Sequence, residues 1–384
     1  MVPGEYSGRS THCPKCGATL TVPGTATVQA PRPKKVVVKS SKWKPVLIVV
    51  SVLMVVGIAI TGTILGMRGG EDDKIADAKG KADGGANPGG AGTGAMPDEQ
   101  TIAKSVGMVI CGFKVTEGGS VKEKMNLYMP IKRAEFANLN EETKEQCIVF
   151  QDGTIVLAIP GSTGSCFVIT EDGFAITNMH VIEDVKKYQK DGKLLGEYAK
   201  RMEYDSASPA LWVALDGVVH SAKIIHVSSQ FDCAVVKIDG LNGLPAWKLS
   251  KAGELKRDVE VATLGFPGSS QIVMNAEEAA IKRAKSANAK SIRDFFLDSD
   301  FQYVQKKGSV SVVKARTGEG VVIEHTATIN GGNSGGPLVR TKDGVVAAIN
   351  TWSHKTAENT FLSIKIDSVK KEIDQFVPNA VWVE

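Results

Sequence analysis

The chain has 384 residues, 42% of them hydrophobic, which is enough for one or two globular domains with additional segments. Its formal net charge of +4 is small for this length, so composition gives no support to nucleic acid as a partner, and none is expected. Its 40 glycines exceed average composition, and part of the excess lies in one linker.

Residues 1–44 lack the apolar periodicity of a folded domain, but they place Cys13 and Cys16 at the C-x₂-C spacing of a zinc knuckle. The sequence C-P-K-C-G resembles half of a zinc ribbon. Tetrahedral zinc takes four ligands, whereas only His12 adds to the two thiols, because the next Cys or His is Cys111. Two hypotheses remain open: a zinc site shared between chains, or a degenerate ribbon that binds no metal.

An uncharged run from Val46 to Met67 is the strongest membrane signal in the chain. As a helix it would span about 33 Å, which exceeds the hydrocarbon core of about 30 Å. A buried core helix rarely carries so long an uncharged run, and a cleaved signal peptide has a shorter apolar stretch closer to the N-terminus. We therefore predict a transmembrane helix over residues 45–67.

The charges that flank this run predict its orientation. Six basic residues lie shortly before it, between residues 32 and 44: Arg32, Lys34, Lys35, Lys39, Lys42 and Lys44. Arg68 follows it, and then three acidic residues. The positive-inside rule puts residues 1–44 in the cytoplasm and the remainder outside it, in the periplasm of a bacterial cell. The Gly/Ala-rich residues 68–100 are typical of a flexible linker.

The folded part of the chain is expected to begin near Thr101. Apolar patterns predict early strands at Ser105–Val115, Cys147–Phe150 and Thr154–Ile159. Two further apolar runs flank a turn at Glu171-Asp172-Gly173 and lead to His180.

Beyond His180, the charged segment Glu183–Arg201 is typical of a surface helix. A hairpin follows, with its turn predicted at Asp216-Gly217. Asp232 lies at the mouth of a predicted strand, Ala234–Ile238.

The second half of the folded region is expected to start near Val259. The stretch Ser270–Gln305 is rich in Ala, Lys, Arg and Glu and predicts an inserted helical loop. The remaining predicted elements are strands at Val310–Val313, Gly320–Glu324 and Gly344–Asn350, and a closing helix at Ile366–Phe376.

The segment Ile329–Leu338, I-N-G-G-N-S-G-G-P-L, predicts a tight loop, because its glycines suit neither a helix nor a strand. A serine on such a loop can present its oxygen while backbone N–H groups converge on one point, which is the geometry of an oxyanion hole. Ser334 is therefore the candidate nucleophile, and the N–H groups of Gly332 and Ser334 are the candidate oxyanion donors.

A serine nucleophile needs a base, and the base needs an orienting acid. His180 and Asp232 supply both, in the chain order His, Asp, Ser of chymotrypsin-like enzymes. His180 would take the proton of Ser334 and return it to the leaving amine, while Asp232 would hold the imidazole tautomer.

Four motifs carry a family resemblance: T-N-M-H-V-I, D-C-A-V-V-K-I, T-L-G-F-P-G and G-N-S-G-G-P-L. In this order they resemble the HtrA/Deg group of trypsin-like serine proteases, over residues 161–377. The resemblance implies an all-β domain at residues 101–384, made of two six-stranded antiparallel barrels with the site in the cleft between them.

The resemblance also implies function and organisation. It implies a serine endopeptidase acting on unfolded or damaged polypeptides, with no cofactor for catalysis, and a homo-oligomer such as a trimer. Loops in the region of Ser270–Gln305 gate the active site in such proteases. Because the chain ends 50 residues past Ser334, we expect it to lack the PDZ domain that usually follows in such proteases.

Substrate preference depends on the pocket segment Thr328, Ile329 and Asn330. By alignment of the serine loop, Thr328 lies near the floor of the primary pocket in trypsin-like enzymes, where an Asp would select Lys or Arg. Because Thr328 is uncharged, we expect small or medium apolar residues before the scissile bond.

Four cysteines, Cys111, Cys147, Cys166 and Cys233, lie on the side predicted to be extracytoplasmic, where disulfides can persist. Cys166 and Cys233 either pair with each other or remain small buried thiols. A rival function is a membrane-tethered pseudoprotease, or peptide-binding sensor with a latent site, although the three triad residues and the glycine loop are all present.

Overall fold

The computed structural model describes residues 10–12, 19–21, 95–251, 255–267, 289–316, 320–353 and 360–384. Near the N-terminus, β1 (Ser10–His12) pairs antiparallel with β2 (Thr19–Thr21). The cysteines Cys13 and Cys16, the run Val46–Met67 and most of the predicted linker lie outside the described residues. Among the residues that are described, no helix has both the length and the apolar character needed to cross a membrane.

Within the described residues, the first half of the folded region contains ten strands and five helices. They are α1 (Glu99–Ser105), β3 (Val106–Glu117), β4 (Ser120–Lys124), β5 (Leu127–Ile131), α2 (Arg133–Ala137), α3 (Glu141–Glu145), β6 (Cys147–Val149), β7 (Ile155–Ile159), β8 (Ser162–Val168), β9 (Phe174–Thr177), α4 (Met179–Lys190), α5 (Lys193–Arg201), β10 (Ser206–Leu215), β11 (Val218–Val227) and β12 (Ala234–Ile238).

Six of these strands close into a barrel in the order β3-β8-β9-β12-β11-β10, and β10 pairs back to β3. Every pairing in the ring is antiparallel. Closure leaves no free edge within the ring. Outside it, β4 extends the sheet from β3, and β5, β7 and β6 form a separate three-stranded sheet.

Alternation along the strands explains the two faces of this barrel. One set of side chains, including Val109, Val213 and Val236, forms a cluster with Val181 and Ile182 of α4. The intervening side chains join a larger cluster that also takes residues from the second half of the chain. The two halves therefore share a hydrophobic core.

The second half contributes another set of elements. They are β13 (Leu249–Ser250), β14 (Glu260–Gly265), 3₁₀ turns at Ile292–Phe295 and Asp298–Phe301, β15 (Val304–Arg316), β16 (Gly320–His325), β17 (Pro337–Arg340), β18 (Val346–Ser353), β19 (Phe361–Lys365), a 3₁₀ turn at Ile366–Val369, α6 (Lys370–Phe376) and β20 (Trp382–Val383).

These strands form a second closed ring, in the order β14-β15-β16-β19-β18-β17, with all pairings antiparallel. The short strands β13 and β20 add to it in parallel outside the ring. The prediction of two six-stranded antiparallel barrels is confirmed. The domain is mostly β and not all-β, because helices accompany the barrels.

Local signals placed several boundaries correctly. The turn between β10 and β11 lies at Asp216-Gly217, with φ of 48° and 74°, as a primed hairpin turn requires. Asp232 lies two residues before β12, and β14 starts one residue after Val259.

Other boundaries were wrong. Ser105 ends α1 instead of starting a strand, and its hydroxyl donates to the Thr101 carbonyl. The predicted surface helix Glu183–Arg201 is two helices, broken at residues 191–192, and it starts earlier, at Met179. Both helices bury apolar faces: Val185, Tyr188, Leu195 and Tyr198 are at most 8% exposed. The charged residues correctly indicated the exposed faces of these helices, but they gave no sign of the buried apolar faces.

Two further predicted helical segments differ from the structure where it describes them. The predicted helical insertion at Ser270–Gln305 lies mainly outside the described residues, and its described part forms two 3₁₀ turns before β15 starts at Val304. The closing helix begins as the 3₁₀ turn Ile366–Val369 and becomes α-helical only at Lys370.

The four cysteines of the folded region are free, buried thiols, so no Cys166–Cys233 disulfide forms. Cys166 lies on β8, and Cys233 lies in the turn before β12 and belongs to a different hydrophobic cluster. Burial raises the pKa of Cys111 and Cys166 to about 12 and that of Cys147 to about 11, and it also raises the pKa of Cys233.

We expect these four thiols to resist alkylation at pH 8 in the folded protein, because a raised pKa removes the reactive thiolate and burial blocks the reagent. Peptide mapping after iodoacetamide treatment, with and without denaturant, measures this. Rapid labelling of Cys166 or Cys233 in the folded state would contradict the expectation, as would a disulfide-linked peptide.

His325 is a buried histidine at the end of β16, and its Nε2 lies 2.8 Å from Ser363 Oγ. Burial lowers its pKa from an ordinary 6.5 to about 4. The unfolded chain therefore takes up this proton at a higher pH than the folded protein does, so stability is intact above pH 6.5 and falls as the pH drops towards 4.

We expect the His325 contribution to lower the free energy of unfolding by about 3 kcal/mol between pH 7 and pH 4, at about 1.4 kcal/mol for each pH unit between the two pKa values. Urea unfolding at both pH values, for the wild type and His325→Gln, measures it. Equal acid sensitivity in the two proteins would contradict this assignment.

Candidate active site

The predicted triad residues come from three segments of the two barrels. His180 is the second residue of α4, directly after β9, and Asp232 lies in the turn before β12, so both belong to the first barrel. Ser334 lies on the loop between β16 and β17 of the second barrel. The site therefore depends on how the barrels meet.

His180 and Asp232 are in direct contact. The distance between His180 Nδ1 and Asp232 Oδ2 is 2.6 Å, and the backbone N–H of His180 donates to Oδ1 at 2.9 Å. Because an ionised carboxylate only accepts hydrogen bonds, the proton belongs on Nδ1, which leaves Nε2 as the basic atom. The Asp232 side chain is 12% exposed and that of His180 is 40% exposed, so the imidazole is open to a substrate.

Asn178, the residue before α4, holds this pair against the second barrel. Its Nδ2 donates to the Asp232 carbonyl oxygen at 2.7 Å and to Thr351 Oγ1 on β18 at 3.2 Å. Asn178 is fully buried. Sequence reasoning did not single it out, although it lies within the T-N-M-H-V-I motif.

Ser334 makes a different hydrogen bond from the one predicted. Its Oγ donates to the Thr351 carbonyl oxygen at 3.2 Å, and within the described residues no hydrogen bond joins it to His180. Substrate-free sites often show long or misdirected catalytic hydrogen bonds that form on binding. To reach His180, the hydroxyl must leave Thr351.

The loop before Ser334 offers free backbone donors. Gly332 has φ of 100°, which favours glycine. Asn333 N–H donates to the Asn330 carbonyl at 2.9 Å, and Gly336 N–H donates to the Asn333 carbonyl at 3.0 Å, so the loop is well braced. In the described part of the chain, the N–H groups of Gly332 and Ser334 have no acceptor. Both are available to an oxyanion.

Ser165 on β8 ties the first barrel to this loop, and sequence reasoning missed it. Its N–H donates to the Ser334 carbonyl at 2.8 Å, and its hydroxyl donates to the Gly332 carbonyl at 2.7 Å. The same hydroxyl accepts from Phe266 N–H at 2.8 Å. The orientation of the Gly332 carbonyl is thereby set by a residue of the other barrel.

Gly335 marks the closest approach between the loop and the first barrel. A Cβ at this position would lie 2.2 Å from the Ser165 carbonyl oxygen and 2.4 Å from Thr177 Oγ1, and its φ is 86°. Only glycine fits this position without displacing backbone.

The predicted pocket residues lie beside Ser334 in sequence. Ile329 is 3% exposed, and the Thr328 carbonyl accepts a hydrogen bond from Thr263 Oγ1 at 2.9 Å. The segment 354–359, including His354, lies outside the described residues. The preference for apolar residues therefore stays a prediction.

No group of three or more His, Cys, Asp or Glu side chains is placed to hold a metal ion in the described residues. The predicted zinc ligands Cys13 and Cys16 are not among them, so that hypothesis also stays a prediction.

Parts of the chain are similar to known proteins. Residues 164–349, a little under half of the chain, match the family model of a trypsin-like peptidase domain. Serine protease HTR4 of Rattus norvegicus is 30% identical over 193 residues, which cover 50% of this chain and 30% of that protein. Serine protease HTRA4 of Homo sapiens is 28% identical over 221 residues, covering 57% and 36% respectively.

Serine protease HTRA1 of Xenopus laevis is 28% identical over 213 residues, covering 56% of this chain and 36% of that protein. A solved HtrA-type protease with a tripeptide has a TM-score of 0.41 at 18% identity, covering 73% of this chain and 63% of that chain. The chain thus spans about a third of the length of the curated relatives it matches. The family and relative matches support an HtrA-like, trypsin-like serine protease domain.

We expect Ser165→Ala to lower the rate of acylation by roughly tenfold to a hundredfold, because the Gly332 carbonyl loses its anchor and the oxyanion donors lose their alignment. The measurement is the rate of Ser334 labelling by a fluorophosphonate, with thermal unfolding to show that the variant is folded. An unchanged labelling rate in folded Ser165→Ala would show that the loop holds its shape without this bond.

Proposed function

We propose that this protein is a serine endopeptidase that uses Ser334, His180 and Asp232. The observation that carries the proposal is the 2.6 Å contact between His180 Nδ1 and Asp232 Oδ2, together with a serine loop whose Gly332 and Ser334 N–H groups have no acceptor among the described residues. The trypsin-like matches reported above support the same reaction class.

In the proposed reaction, His180 Nε2 takes the proton of Ser334 as the serine oxygen attacks the carbonyl carbon of the scissile peptide bond. The N–H groups of Gly332 and Ser334 then stabilise the oxyanion. Collapse of this intermediate breaks the C–N bond, and His180 delivers its proton to the leaving amine. Water, deprotonated by His180, hydrolyses the acyl-enzyme and regenerates Ser334.

The proposed substrates are unfolded or damaged polypeptides, and the proposed residue before the cut is small or apolar. The second proposal rests on the uncharged Thr328, which supplies no anion to bind Lys or Arg. Sequencing of cleavage products from an unfolded protein tests it, and predominantly basic residues before the cut would overturn it.

We also propose the cellular arrangement that the sequence predicts. Val46–Met67 would anchor the protein, with residues 1–44 cytoplasmic, the protease domain extracytoplasmic, and the protein assembled as a homo-oligomer such as a trimer. Zinc at Cys13 and Cys16 would then be bound by a site shared between chains. Protease protection in membrane vesicles, sedimentation analysis and metal analysis of the Cys13→Ser variant test these three statements in turn.

One observation favours a second candidate function, a peptide-binding protein with a latent site. The Ser334 hydroxyl is directed to the Thr351 carbonyl and not to His180. Such a protein would bind unfolded polypeptides and would acquire activity only when the hydroxyl is released.

We expect Ser334→Ala and His180→Ala each to lower the rate of proteolysis by about 10⁴-fold or more, because the nucleophile and base act as a unit. Fluorophosphonate labelling of the whole chain and digestion of an unfolded protein measure this. Labelling of the folded wild type no faster than that of Ser334→Ala would refute a constitutive protease, and peptide binding by the same sample would then favour the latent one.

A further inference from the structure

The helix α6, which follows the last strand of the second barrel, contacts the segment of the first barrel that carries Asp232. Glu372 on this helix uses both carboxylate oxygens. Oε2 lies 2.5 Å from His226 Nε2, and Oε1 accepts a hydrogen bond from Ser228 Oγ at 2.9 Å. These partners lie more than 140 residues earlier in the chain.

Ser228 shapes the turn that presents Asp232. Its oxygen accepts hydrogen bonds from Gln230 N–H at 3.1 Å and Phe231 N–H at 2.9 Å, and its own N–H donates to the Cys233 carbonyl at 3.0 Å. A serine hydroxyl has one proton and two acceptor sites. Because Glu372 takes the proton, both acceptor sites face the turn.

His226 gives the helix a second point of attachment. A β-bulge between Ile224 and His226 interrupts the register of β11 with β12, and bulges commonly redirect a side chain. The imidazole stacks on the Phe376 ring, with centroids 4.1 Å apart and planes at 14°. Glu372 and Phe376 are one helical turn apart, so both attachments lie on one face of α6.

The turn from Ser228 to Cys233 is consequently held at two points. Asn178 donates a hydrogen bond to the Asp232 carbonyl near one end, and Glu372 accepts a hydrogen bond from Ser228 at the other. Glu372 and Ser228 are each partly or fully shielded from water: the Glu372 side chain is 23% exposed and Ser228 is 3% exposed. A shielded hydrogen bond to a carboxylate is stronger than a neutral one.

We propose that Glu372 is a positioning residue for Asp232, acting through the Ser228 hydroxyl. The inference rests on the proposed function, because it assigns a role in the same site. It adds a requirement that none of the triad motifs contains: the C-terminal helix must be docked for the acid to face His180.

The test uses four variants of the whole chain. Glu372→Ala removes the acceptor of Ser228, whereas Glu372→Gln keeps an oxygen that can accept the same hydrogen bond. Lys371→Ala, on the neighbouring exposed position, is the matched control. Ser228→Ala removes the turn's central hydroxyl and leaves the helix intact, and thermal unfolding identifies any variant that does not fold.

We expect Glu372→Ala and Ser228→Ala to slow fluorophosphonate labelling of Ser334 by about tenfold or more, since a displaced acid misaligns the base. Glu372→Gln should stay within about threefold of wild type, and Lys371→Ala should be unchanged. In an Asp232→Asn background, Glu372→Ala should cause no further loss, because residues acting through one another are not additive.

Two results would overturn the proposal. One is a wild-type rate of Ser334 labelling in folded Glu372→Ala. The other is that Glu372→Ala slows labelling equally in the wild-type and Asp232→Asn backgrounds. A low-field proton resonance from His180 Nδ1–H, assigned with His180→Ala, reports the contact with Asp232 independently of activity. Loss of this resonance in Glu372→Ala but not in Lys371→Ala supports the proposal. This readout still applies if the wild type is not labelled, a result that would refute constitutive proteolysis but not the role of Glu372.

Discussion

The contact between Ser165 and the loop of Ser334 is the constraint on which the site depends. The candidate base and acid belong to one barrel and the candidate nucleophile to the other, so a small shift between the barrels would separate them. Ser165 opposes such a shift with two hydrogen bonds, one to the Ser334 carbonyl and one to the Gly332 carbonyl. Gly335 permits the approach, because any side chain there would meet the Ser165 backbone. Because protein interiors are close-packed, a displacement at this contact would be passed on to the neighbouring residues of the site.

Buried polar side chains connect the remaining parts. Asn178 donates to Asp232 and to Thr351, so it spans the two barrels, and Glu372 accepts from the turn before Asp232. A buried polar group is costly without a partner, and for that reason a paired one sets geometry strongly. Within the described residues, Asn178 Oδ1 and Asn333 Oδ1 are buried without a donor, and both belong to segments that flank the candidate triad.

Sequence patterns predicted most of the fold, because period-two alternation and turn chemistry act over short distances. Most of the barrel strands and the Asp216-Gly217 turn were predicted in this way. The strands β17 and β19 were not predicted, and the arrangement of the strands as two barrels was implied by the family resemblance. The same reasoning was wrong for Glu183–Arg201, where charged residues conceal the buried Tyr188 and Tyr198, and for Ser105, which ends a helix. Cysteine positions could not reveal that Cys166 and Cys233 belong to separate clusters, since burial depends on which strands become neighbours.

The sequence by itself determined the residue types of the candidate site and the local shape of its loops. Glycine at position 332 allows φ of 100°, and His180, Asp232 and Ser334 follow one another in the chain order of chymotrypsin-like enzymes. Only the tertiary structure decided which distant groups meet: Ser165 with Gly332, Asn178 with Asp232, Glu372 with Ser228, and the Ser334 hydroxyl with Thr351 instead of His180. These contacts join residues far apart in the chain, and they follow from strand register and barrel packing, which a linear pattern of residues does not specify.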